Sequence, residues 1–114
     1  MAVYVANLQV NQGTDFSQTF NLANTIGDTS FNLTEYTIAA KMKKHAGAAD
    51  SSATSFTASI DNAANGTISL ALTDTQTSAL KAGRHVYDIV ITNTSSTLKT
   101  RVIEGSVLVR EGVT

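Results

Sequence analysis

The chain has no cysteine, which excludes disulfides and thiolate metal sites without fixing a compartment. It has no tryptophan, and aromatic residues make up only 6%, so it is poorly supplied with the exposed rings that stack on sugars. Charge is sparse as well. Charged residues account for 15% of the chain and the net charge is −1, whereas an average domain is about 25% charged. Phosphate neutralisation needs clustered Lys and Arg. The one cluster, Lys41, Lys43 and Lys44, has no aromatic residue among it, so no nucleic-acid partner is expected. No apolar run reaches the roughly 18 residues of a membrane-spanning helix. The opening Met1-Ala2-Val3-Tyr4-Val5 lacks a basic and then apolar leader, so neither a secretory signal nor a membrane partner is expected. Walker, G-x-S-x-G, H-E-x-x-H and EF-hand signatures are all missing. The chain therefore reads as a non-enzyme, with no cofactor, no metal and no small-molecule substrate.

What replaces charge is hydroxyl. Seventeen Thr and eleven Ser fill about a quarter of the 114 residues. Thr favours strands while Ser and Asn favour turns, so the composition points to β structure. The length suits one domain, residues 1–114, able to bury about two-thirds of its unfolded surface. A near-neutral surface offers little repulsion between copies of the chain.

Seven to eight strands separated by turn signals predict an all-β sandwich. The first, about Val3 to Val10, changes apolar phase between Val5 and Leu8, which predicts a bulge near Ala6-Asn7. Further strands are predicted over Asp15–Leu22, with Phe16, Phe20 and Leu22 inside, and over Thr37–Lys44, with Ile38, Ala40 and Met42 inside. Two more are marked by Phe56, Ala58 and Ile60, and by Ile68, Leu70 and Leu72. Phe31–Tyr36 reads as a short connector with at most three buried anchors, Phe31, Leu33 and Tyr36, and His45–Ser55 reads as a mobile loop. Thr73-Asp74-Thr75-Gln76 fits a capping box and opens one short helix, about 74–80, closed before Gly83. Arg84–Asn93 is apolar on both faces, with Tyr87, Ile89 and Ile91 on one side and Val86 and Val90 on the other. The last strand, Thr97–Arg110, changes phase again, with Leu98 and Val102 on one face and Ile103, Val107 and Val109 on the other, and Gly105 sits near the flip, where a bulge or sharp bend is easy.

Few residues offer chemistry. His85 and Asp88 lie three apart in a strand and so point to opposite faces. Asp15, Asp28, Asp50, Asp61 and Asp74 sit at turns or strand ends without calcium-site spacing. The candidate functional residues are instead interfacial. Val86 and Val90 lie opposite the main core face, where either the helix or a loop covers them or a second subunit does. His45 and Asp50, in the long loop, are candidates for ordering against a neighbour.

Five pieces in order carry a resemblance across nearly the whole chain. They are Gln12-Gly13-Thr14-Asp15-Phe16, then Leu33-Thr34-Glu35-Tyr36-Thr37-Ile38-Ala39-Ala40-Lys41-Met42-Lys43-Lys44, then Gly66-Thr67-Ile68-Ser69-Leu70-Ala71-Leu72-Thr73. Leu80-Lys81-Ala82-Gly83-Arg84-His85-Val86-Tyr87-Asp88-Ile89 and Glu104-Gly105-Ser106-Val107-Leu108-Val109 complete the set. This order resembles small virion β-sandwich proteins of tailed phages and is similar to the N-terminal domain of phage baseplate upper proteins. Glu35 stands where that group commonly has Gly, and His85 where it often has Tyr. The resemblance implies an Ig-like antiparallel sandwich built into the virion after synthesis in the host cytoplasm. The implied place is the tail, the baseplate or a fibre attachment, with a homo-oligomer and other virion proteins as partners. A capsid decoration or head–tail connector protein is the alternative on the same fold, and a carbohydrate-binding module for host attachment is a third.

Overall fold

Alternation with period two turns each apolar set of this chain toward one interior. The computed structural model describes residues 4–21, 33–45, 47, 53–64 and 66–112. Its strands are β1 (Tyr4–Val5), β2 (Leu8–Asn11), β3 (Phe16–Asn21), β4 (Tyr36–Lys43), β5 (Thr54–Ser55), β6 (Thr57–Asn62), β7 (Thr67–Leu72), β8 (Gly83–Asn93) and β9 (Lys99–Arg110). The helix α1 (Asp74–Ser78) lies between β7 and β8. Among the described residues the larger sheet runs β1-β9-β8-β4-β5, with β2 also on β9, and the smaller runs β3-β7-β6. The order matches an immunoglobulin-type sandwich, except that among the described residues the smaller sheet has three strands where the usual layer has four.

The first strand is interrupted at Ala6-Asn7, where the change of phase predicts a bulge. Both of its halves run parallel to β9, which corrects the antiparallel expectation. The connection explains it. β2 leads through the Gln12–Asp15 turn to β3 in the opposite sheet, so no hairpin fixes the direction of pairing. The break has its own chemistry. A Cβ on Gly105 would overlap the Ala6 carbonyl, so only glycine lets the first strand lie against β9 there. The Tyr87 hydroxyl donates to that carbonyl at 2.6 Å. The Ser106 N–H and hydroxyl both donate to Asn7 Oδ1 at 3.1 Å.

The change of phase in β9 is a bulge, and it lies three residues before Gly105. Ile89 faces Ile103 while Val90 faces Arg101, so Val102 is the bulged residue, and Val102 and Ile103 are both buried. A second correction concerns His45–Ser55. Thr54–Ser55 pairs with Lys41 and Met42 as β5, and the chain then crosses to the smaller sheet through buried Phe56, whose N–H donates to the Ala40 carbonyl at 3.0 Å.

The core joins Val10, Phe20, Met42, Ile68, Leu70, Ile89, Ile91, Ile103 and Val107, among others, from both sheets. Each such side chain contributes about 1.5–3 kcal/mol when fully buried. Phe16, Phe56 and Tyr87 form a ladder of rings through the layers, with successive centroids 6.1 Å apart, an edge-biased geometry that aromatic quadrupoles favour. The helix stops two residues short of the expected Leu80. Its capping box is present, with the Gln76 N–H on Thr73 Oγ1 at 3.2 Å and the Thr73 N–H on Gln76 Oε1 at 2.9 Å. Buried Thr77 donates to the Thr14 carbonyl at 2.7 Å, and Gln12 Nε2 donates to that of Leu80 at 2.6 Å. These bonds tie the helix across one end of the sandwich. At the start of β8, Gly83 holds φ at 125°, a conformation open to glycine alone.

Candidate interaction surface

Strand pairing assembles the outward residues of the larger sheet into rows. Lys43, Val86 and Ser106 stand side by side. Lys41, Asp88, Glu104 and Val5 form the next row, and Ala39, Val90 and Arg101 the one after. Val86 is 37% exposed, Val5 64% and Leu108 40%. Val90 is half-buried and Ala39 exposed. The described residues leave Val86 only partly covered. The helix instead packs its buried Thr77 against the Gln12–Asp15 turn.

The result is a mixed face, in which the charged row Lys41-Asp88-Glu104 runs between Val86 and Val90 and ends on Val5. A shallow groove of about 580 Å³ runs between Lys41 and Lys43 on one side and Val5 and Glu104 on the other, with Val86 in between. Arg101 Nε meets Asp88 Oδ2 at 3.2 Å, with the two side chains 53% and 38% exposed. This pair adds little to the stability of the fold, because solvent-screened ion pairs contribute about 0–1 kcal/mol.

Val86 and Val90 thus lie together on one face. His45 is exposed just beyond the end of β4, the strand that carries Lys41 and Lys43. Asp50 lies outside the described residues. Sequence reasoning missed Val5, Leu108, Asp88, Arg101 and Glu104 as members of this surface. A signal for two of them existed: Glu104 and Leu108 alternate with buried Ile103, Val107 and Val109. Nothing local marks Val5, which reaches the face only through its pairing with Glu104.

The other chemical candidates are accounted for locally. His85 Nε2 lies 2.9 Å from the Lys81 carbonyl, on the opposite face of β8 from Asp88. Asp15 Oδ1 accepts the Asp74 N–H at 2.9 Å and so caps the helix start. Asp61 Oδ1 accepts from Ser59 and Ser69. Among the described residues no three His, Asp or Glu side chains gather as a metal site. What the arrangement can do is present a broad, weakly charged face to another macromolecule. No protein-family model matches the chain, and no curated protein matches it.

Proposed function

We propose that the chain is a structural protein of a tailed-phage virion, an assembly module of the tail, baseplate or fibre attachment that works by docking on neighbouring subunits. The observation that carries the reading is the outer face of the larger sheet, where exposed Val86 and Val5 and half-buried Val90 are interspersed with Lys41, Lys43, Asp88, Arg101 and Glu104. The apolar part of such a face gains by burial against a partner, and its charged groups set the docking orientation. The ordered motifs shared with small phage β-sandwich proteins supply the biological setting. Among the described side chains Phe16, Phe20, Tyr36, Phe56 and Tyr87 are all buried or half-buried, which favours docking over stacking on a sugar.

Gold-labelled antibody against the chain, applied to purified particles of the parent phage, tests the reading. Labelling at the tail end is the expected result. Labelling over the shell or at the head–tail junction makes the chain a decoration or connector protein instead. Absence from intact and disrupted particles, with the protein abundant in infected cells, overturns the virion role.

A further inference from the structure

Sheet edges are open hydrogen-bonding surfaces, and proteins blunt those that must stay single with charge, bulges, breaks or short strands. Three of the four edges here are treated in this way. The first strand is broken at Ala6-Asn7. The β4 edge is flanked by Lys41 and Lys43 and carries only the two-residue β5. The β6 edge has a register shift between Ile60 and Asn62 and holds Asp61.

The β3 edge has none of these devices. Phe16–Asn21 contains no charge, no glycine and no proline, and pairs with β7 in unbroken register. Among the described residues no strand lies on its other side. This is the edge that the first strand of the usual four-stranded layer would occupy, and here that strand lies on β9.

The sequence of β3 reads nearly the same in both directions. Phe16-Ser17-Gln18-Thr19-Phe20 is aromatic, hydroxyl, amide, hydroxyl, aromatic about its centre. Antiparallel partners that face each other share a face of the sheet. A two-fold axis at Gln18 therefore sets Phe16 opposite Phe20 on the inner face, Ser17 opposite Thr19 on the outer face, and Gln18 opposite itself. One step further, Asp15 stands opposite Asn21, a carboxylate facing an amide. A shift of two residues either way puts a Phe opposite Gln18. Gln18 occupies an inward phase, opposite buried Leu70, yet is exposed. Among the described residues its side chain makes one long bond, Nε2 to the Thr19 carbonyl at 3.4 Å, so little is lost there when it turns to a partner.

We propose that β3 is a self-complementary edge, through which two copies of the chain pair antiparallel about a two-fold axis at Gln18 and join their three-stranded sheets into one of six strands. The contact is isologous and closes on itself. It is separate from the face around Val86, so it stands or falls independently of the virion role.

Charge at residue 18 tests it. Gln18→Lys and Gln18→Glu each put like charges on the axis and should weaken the dimer at least roughly tenfold in sedimentation velocity. An equimolar mixture of the two should restore it as a heterodimer. The chain has no cysteine, so Gln18→Cys gives a clean second readout. Mild oxidation should cross-link it into dimers far faster than Ser59→Cys, an equally exposed site on the opposite edge of that sheet. Circular dichroism establishes that each variant is folded. A wild-type chain that stays monomeric at every attainable concentration overturns the proposal. So does a dimer indifferent to both charges, or cross-linking at residue 18 no faster than at 59.

Discussion

The two outer faces of this sandwich are made from the same alternating pattern and end up with opposite characters. The smaller sheet shows hydroxyls to solvent. Thr19, Ser69 and Ser59 form one row, Ser17, Ala71 and Thr57 the next, and Ser59 and Ser69 are 3.0 Å apart with Asp61 bound to both. The larger sheet shows Val86, Val90 and Val5 interspersed with side chains of both charge signs. A hydroxyl face satisfies itself and water, whereas an apolar face gains by being covered. The difference teaches which side of the molecule is suited to a neighbour.

Gly105→Ala should break the comparison most severely. The added methyl meets the Ala6 carbonyl, and overpacking of this kind costs about 1–3 kcal/mol or more. It should dislodge β1 and β2, and with them Val5, from the docking face while leaving the hydroxyl face in place. Urea denaturation measures the loss, and hydrogen exchange at the first strand locates it.

Val86→Asp makes the docking face resemble the hydroxyl face. Because Val86 is exposed, fold stability should stay within about 0.5 kcal/mol. Incorporation into particles, scored by immunoblot of purified virions, should fall about tenfold or more, as for loss of roughly 1.4 kcal/mol of binding energy. Unchanged incorporation would remove this face from the docking role.

Tyr87→Phe sharpens the account of the seam beneath Val5. It removes the 2.6 Å bond to the Ala6 carbonyl and should cost about 1 kcal/mol, read as a lower urea midpoint at unchanged slope. Ser59→Ala, on the hydroxyl face, should change stability by less than about 0.5 kcal/mol and leave particle incorporation unaltered. A large effect there would mean that both faces are occupied.

Much of the architecture was legible residue by residue. The long apolar run from Val86 to Ile91 announced a central strand, and β8 lies between β9 and β4, but its outer face is not covered at Val86 by the described residues. Thr73 and Gln76 announced the helix start through hydrogen bonds made within four residues. The candidate surface was legible only in part. Val86 and Val90 stood out because they break the rule of one apolar face, but Val5 and Leu108 looked like ordinary strand residues. His45 carried too little local information to place. The role of Gly105 was misread for a related reason. Its neighbours in sequence suggested a bend, while the group that requires glycine there belongs to Ala6, a hundred residues away by chain and in contact by fold.

The sequence by itself determined which side chains face inward, where the chain turns and where its one helix begins. Alternation, turn residues and caps act over a few positions, and their physics is complete within that span. Only the tertiary structure decided that the first strand runs parallel to the last, that Phe56 carries the chain from one sheet to the other, and which outward residues stand next to each other. Those outcomes depend on pairing between segments far apart in the chain. Such pairing is settled by the joint packing of both layers and the closure of the loops between them.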